Sequence, residues 1–176
     1  MEWDRYFFEI ALVVAKNSKC LSRQVGAILV SEKSVLVSGY NGPPAGVNHC
    51  KTRYENDEFL INELIYKRGI QPTKKNAQQC PRRTLGYKSG EGLEWCIAGH
   101  AERNVLITAA KHGISTDSKS MYLTCAVPCS VCLVEIINAG IKEVIVTEMK
   151  YYDIMSQYLI EHSKLIIREY QFVKGE

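Results

Sequence analysis

Residues 100–147 read HAERNVLITAAKHGISTDSKSMYLTCAVPCSVCLVEIINAGIKEVIVT, and their hydrophobic period switches repeatedly between helix and strand. Ala101 to His112 predicts a helix, closed by Gly113 as a C-cap. Met121 to Thr124 predicts a strand, Cys129 to Asn138 a helix ending at Ala139-Gly140, and Glu143 to Thr147 a strand. Beyond this stretch, Ile154 to Glu161 predicts a helix and Leu165 to Arg168 a last strand. Such alternation predicts an α/β domain with helices flanking one sheet.

Working outward to the N-terminal side, Trp3 to Ala15 places Tyr6, Phe7, Ile10, Ala11, Val14 and Ala15 at helical spacing. The apolar run Val25 to Val30 and the alternating run Ser34 to Tyr40 flank the turn Ser31-Glu32-Lys33, which predicts an antiparallel hairpin. Between Gly42 and Cys96 the pattern breaks down. Pro43, Pro44, Gly46, Pro72, Pro81, Gly86, Gly90 and Gly92 lie among polar residues, and only Glu58 to Lys67 predicts a short helix. A stretch this long needs something to tie it down.

The chain has 176 residues, 46% of them hydrophobic and 23% charged, which fits one soluble domain with its own core. A net charge of +3 is compatible with a small anionic ligand, and without a basic stripe it argues against a large nucleic-acid footprint. The start Met1-Glu2-Trp3-Asp4-Arg5 does not look like a signal peptide, and no apolar run is long enough to span a membrane. The seven cysteines are therefore expected to be reduced thiols or metal ligands in a cytoplasmic protein.

Two fragments carry chemistry. Pro128-Cys129-Ser130-Val131-Cys132 opens one predicted helix, where exposed N–H groups and the helix dipole favour thiolate. His100-Ala101-Glu102 opens another. His100, Cys129 and Cys132 supply the three protein ligands of a catalytic zinc, which keeps a fourth position for water. Glu102 lies close enough to exchange a proton with that water without binding the metal. Either fragment alone has a bland reading, as half of a structural zinc site, a redox pair or chance. Together they match the H-x-E…P-C-x-x-C signature of zinc nucleobase deaminases.

With these residues, Ser18-Lys19-Cys20, Gln24 to Ala27, Gly39-Tyr40-Asn41-Gly42-Pro43-Pro44-Ala45-Gly46, His100 to Asn104, Met121 to Thr124 and Ala139 to Lys142, the chain resembles the deoxycytidylate (dCMP) deaminase family of the cytidine deaminase superfamily. The resemblance implies a three-layer fold with a central mixed sheet of about five strands. It also implies one deaminase domain over residues 1–176, with a zinc-braced insertion at about 43–96 after the second strand. The implied reaction is zinc-dependent deamination of dCMP to dUMP and ammonia, feeding thymidylate synthesis. Other substrates in the superfamily are tRNA adenosine, cytidine or a modified deoxycytidylate. A non-catalytic zinc-stabilised binding module has no use for Glu102.

By the same resemblance, Asn41 binds the sugar 3′-hydroxyl, the Ala101 N–H holds the pyrimidine carbonyl, and Tyr122 lies near the ring or phosphate. Ser22 and Arg23 suit a 5′-phosphate. For Tyr122 the alternative is a core strand residue, for Arg23 a solvated turn, and for Asn41 a turn-forming Asn-Gly pair. Some relatives carry a second, structural zinc, which here implies Cys20, Cys50, Cys80 and Cys96 as ligands, with His49 able to replace one cysteine; four reduced thiols are the bland alternative. Cys125 reads as a small packed residue, and His112 and His162 as exposed helix ends. Arg82 and Arg83 read equally as phosphate contacts or a solvated turn. Gly39, Tyr40 and Gly42 mark the turn where relatives bind dCTP, with Mg2+, or dTTP as effectors, and a homo-oligomer is expected.

Overall fold

The structure is a computed structural model that describes residues 3–171. In chain order the elements are α1 (Trp3–Ala15), β1 (Gly26–Ser31), β2 (Ser34–Tyr40), α2 (Cys50–Asn56), α3 (Glu58–Asn62) and α4 (Pro81–Thr84). There follow α5 (Ala101–Lys111), β3 (Ser120–Leu123), α6 (Ser130–Asn138), β4 (Glu143–Val146), α7 (Ile154–Glu161) and β5 (Ile166–Glu169). The described residues form two compact units, one of residues 3–18, 25–41 and 100–171, the other of residues 19–24 and 42–99. Residues 1, 2 and 172–176 of the expected domain lie outside the description.

The first unit is built on a five-stranded mixed sheet of order β2-β1-β3-β4-β5. β1 is antiparallel to β2 and β3, whereas β3, β4 and β5 run parallel. Both faces of the sheet are covered, as its side-chain alternation shows. Ala27 and Leu29, Met121 and Leu123, and Val144 and Val146 pack with Ala101, Val105, Leu133 and Ile136 of α5 and α6. Ile28, Val30, Tyr122 and Ile145 pack instead with Phe7, Phe8 and Ala11 of α1. This is the helix–sheet–helix layering expected from the alternating sequence.

Two details of the sequence reading change. In α1 the buried aromatic beside Phe7 is Phe8, which stacks on Tyr170 at 5.3 Å, while Tyr6 is exposed. The second unit also has more structure than its composition suggests. α2 and α4 are helical, α3 continues as a π turn over Glu63–Lys67, and single 3-10 turns occupy Asn76–Gln78 and Leu93–Trp95. Tyr54, Leu60, Leu64 and Leu85 form a small core of their own.

α2 escapes a hydrophobic-period reading because its buried face is Cys50, Arg53 and Tyr54. Arg53 is 7% exposed; its Nε donates to Asp57 Oδ2 at 2.7 Å and its Nη1 to the Trp95 carbonyl at 2.8 Å. The ends of the segment are tied by a pair of backbone hydrogen bonds between Gly42 and Gly99. Order in this unit therefore has a core, a buried ion pair and a backbone tie to rest on. Among the described residues, no helix is long and apolar enough to cross a membrane.

Candidate active site

His100 is the N-cap residue of α5 and Cys129 that of α6, and neither side chain caps its own helix. They turn towards each other instead. His100 Nδ1 lies 3.3 Å from Cys132 Sγ and 3.6 Å from Cys129 Sγ. The ligand atoms of all three residues lie within 4.8 Å of one another, the only such group of His, Cys, Asp or Glu among the described residues. Zinc–nitrogen and zinc–sulfur bonds of about 2.0–2.3 Å at a tetrahedral angle set N···S separations of about 3.5 Å. One imidazole and two thiols at these distances fit a zinc ion that keeps one position for water.

The electrostatics agree. The Cys129 thiol is pulled down, first by the hydrogen bond from Cys132, against the burial that raises it, and further by His100. Cys132 is pushed up in return, by that same hydrogen bond and by burial. The hydrogen bond with Cys129 raises His100, and the Glu102 charge adds to this. Glu102 is 5% exposed in the first turn of α5, and its charge is felt by both His100 and Cys132. A buried carboxylate is thus fixed beside the ligand cluster.

The sheet explains why these groups meet. α6 follows β3 and α7 follows β4, and β3 and β4 are parallel neighbours, so both helices start at the same edge. Asp153, the N-cap residue of α7, also accepts the N–H of Ser130 at 3.1 Å. The α5 start is held from β2: Asn104 Nδ2 donates to the Tyr40 carbonyl at 2.7 Å. At Gly39 a Cβ would lie 2.9 Å from the Ala101 carbonyl oxygen and 2.8 Å from the Val105 nitrogen, so only glycine lets α5 lie this close.

The remaining sequence candidates divide. Asn41 sits at the end of β2 in the first unit, and its Oδ1 accepts the Val25 N–H at 2.8 Å. The same bond fixes the turn and orients the amide. Ala101 is fully buried at the first position of α5. Tyr122 does not face the cluster. It lies on the α1 face of the sheet, its ring 5.1 Å from Phe7 and its hydroxyl donating to Asp4 Oδ1 at 2.7 Å. Strand alternation sends Met121 and Leu123 to the face of α5 and α6, so the core reading accounts for Tyr122.

Ser22 and Arg23 are exposed on residues 19–24 of the second unit. Tyr40 is exposed and Gly42 buried, the latter in its bridge to Gly99. Cys20, Cys50, Cys80 and Cys96 all belong to the second unit. Burial pushes the Cys50 thiol up to about 11, and the charges of Cys80, Cys20 and Cys96 add to it. His49 is the exposed N-cap residue of α2. Arg83 donates to the Tyr87 carbonyl at 3.2 Å, and Arg82 to that of Lys88 at 3.4 Å, both local loop contacts. Cys125 packs against the core beside α5 and α6, and His112 and His162 cap helix ends. The sequence motifs gave no sign of Asp153; its one local signal is the capping pattern Asp153-x-x-Ser156.

Comparison with known proteins places this geometry. The cytidine and deoxycytidylate deaminase zinc-binding region matches residues 1–148. The deoxycytidylate deaminase of Schizosaccharomyces pombe is 31% identical over 168 residues, 96% of this chain and 44% of that one. That of Enterobacteria phage T4 is 32% identical over 146 residues, 80% of this chain and 75% of that one. The chain spans less than half the length of the yeast relatives it matches. The crystal structure of a cyanophage S-TIM5 dCMP deaminase with dCMP and dUMP shares the fold, with a TM-score of 0.61 at 22% identity over 94% of each chain.

Proposed function

The chain belongs to the cytidine and deoxycytidylate deaminase family, and from that premise we propose that it catalyses hydrolytic deamination of dCMP to dUMP and ammonia. The observation that carries the proposal is the His100, Cys129 and Cys132 cluster with Glu102 buried beside it. Similarity to deoxycytidylate deaminases, and the dCMP and dUMP bound by a protein of the same fold, support this substrate.

His100, Cys129 and Cys132 would hold the metal. What zinc supplies at such a centre is a water acidified to near neutrality. Glu102 takes one proton from the attacking water and gives it to the ring nitrogen, then takes the second from the new C4 hydroxyl and gives it to the departing amine. Oxygen bonds to C4 of the cytosine, the C4–N bond breaks, and ammonia leaves. Ala101, whose N–H opens α5, holds the pyrimidine carbonyl, and Asn41 addresses the sugar. Ser22 and Arg23 address the 5′-phosphate.

Cys20, Cys50, Cys80 and Cys96 take a second, structural zinc that braces the insertion at about 43–96. Their shared unit and the charge interactions centred on Cys50 support this reading. The same reading includes one domain over residues 1–176, a homo-oligomer in the cytoplasm, and dCTP with Mg2+ or dTTP acting near Gly39, Tyr40 and Gly42.

The test is ammonia release from the zinc-loaded protein with dCMP, CMP, dCTP, deoxycytidine and a tRNA anticodon stem. Turnover of dCMP is expected. Turnover of another member without dCMP would overturn the substrate, and no turnover at all would overturn the activity.

A further inference from the structure

The loop that carries Cys129 is held from outside the metal cluster. Ser156 is fully buried in the first turn of α7, and its hydroxyl lies 3.1 Å from the Pro128 carbonyl, which it meets as donor. The same hydroxyl lies 3.1 Å from Asp153 Oδ1, which also accepts the Ser156 N–H at 2.7 Å. The other carboxylate oxygen, Oδ2, accepts the Ser130 N–H at 3.1 Å. Asp153 and Ser156 therefore grip the residues on both sides of Cys129, one through a carbonyl and one through an N–H.

The carboxylate sits between two helix starts. Each presents unpaired N–H groups and the positive end of a dipole, so one anion satisfies both. Capping α7 needs only Oδ1. The second contact, from Oδ2 to α6, does nothing for α7. What it fixes is the first turn of α6, which begins next to Cys129 and contains Cys132.

We propose that Asp153 and Ser156 are positioning residues that set the Pro128–Ser130 turn so that Cys129 and Cys132 present their sulfurs to the metal. The inference rests on reading His100, Cys129 and Cys132 as zinc ligands. Partners of this kind, one bond removed from the ligands, are commonly worth about 10–100-fold in metal affinity.

Asp153→Asn separates the two contacts. Asparagine caps a helix as well as aspartate does, so α7 keeps its cap, while the amide group facing Ser130 N–H is a donor and cannot accept it. Zinc affinity is read by competition with a chromogenic chelator, ligand geometry from the spectrum of the cobalt(II)-loaded protein, and stability from melting of the metal-free chain. The expected result is a roughly 10–100-fold loss of zinc affinity and an altered cobalt spectrum, with the metal-free melting temperature within about 3 °C of the parent. Ser156→Ala, which releases the Pro128 carbonyl by a different route, should weaken zinc in the same direction. Zinc binding within about twofold of the parent in both variants would overturn the proposal. So would a loss of affinity seen only alongside an equal loss of metal-free stability. If the parent chain itself binds no zinc, the reading of the ligand cluster falls first, and the proposal with it.

Discussion

The ligand cluster of the first unit and the four cysteines proposed as a second set differ in what gathers them. His100, Cys129 and Cys132 come from helix starts laid on a sheet, and the fold brings their donor atoms within 4.8 Å. Cys20, Cys50, Cys80 and Cys96 come from a segment of short helices and turns, and no comparably tight group of ligand atoms forms there among the described residues. Cys50 nevertheless feels the charge of the other three. A rigid scaffold pre-organises a site before metal arrives, whereas a site between short elements is completed by the metal it binds.

The largest effect expected tests the pre-organised half. Glu102→Gln should keep its zinc and lose turnover by roughly 10²–10⁴-fold, because the amide cannot carry the proton. Activity near that of the parent would remove Glu102 from the chemistry. The other half is tested by metal content. The parent should bind two zinc ions per chain, and Cys50→Ala one, with the remaining ion still supporting dCMP turnover. A parent with one zinc per chain would break the comparison, leaving four reduced thiols in the second unit.

What could be read from sequence follows the same division. Around His100 and Cys129 the ligands sit at helix starts, so local spacing and hydrophobic period were enough to place them. The strands and the helix bounds near the site also follow from periodicity, with shifts of a residue or so, as at β5, whereas the strand order β2-β1-β3-β4-β5 is visible only in the folded chain. Tyr122 is ambiguous in sequence because alternation tells that a strand residue changes face, and not which face holds the site. Asp153 was invisible because its contact with Ser130 depends on β3 and β4 lying parallel and adjacent. In the second unit, α2 buries an arginine, a cysteine and a tyrosine, and no hydrophobic pattern marks such a face.

Arg53 and Arg103 sharpen the contrast between the units with identical chemistry. Arg53 meets Asp57 at 2.7 Å, with side chains 8% and 20% exposed. Arg103 meets Glu135 at 3.0 Å, with side chains 43% and 36% exposed. Removing one partner of a buried pair strands the other, and Arg53 also serves the Trp95 carbonyl. Arg53→Ala should cost about 2 kcal/mol in urea unfolding, less than for a fully buried pair because Asp57 keeps some water. Arg103→Ala should cost no more than about 0.5 kcal/mol. Equal costs would show that the second unit does not depend on its buried arginine.

The smallest effect concerns acid, and it falls in the first unit. Arg168 donates to both Asp4 oxygens, at 2.6 and 2.8 Å, and Tyr122 donates to Oδ1. The bond to Arg168 holds the Asp4 carboxyl below its ordinary value, against a burial that raises it, with Tyr122 helping. A carboxyl lowered by folding binds its proton less readily in the native state than in the unfolded one. Its contribution is therefore complete above the unfolded value near pH 4 and disappears as pH falls through the lower native value. Since Arg168 is 37% exposed, the whole term should stay below about 1 kcal/mol. Asp4→Asn removes the titrating group, so the urea midpoint of the variant should fall less steeply between pH 5 and pH 2 than that of the parent. Parallel curves would mean that acid sensitivity lies elsewhere, and that α1 is held on the sheet by Phe7 and Phe8 packing rather than by its charge.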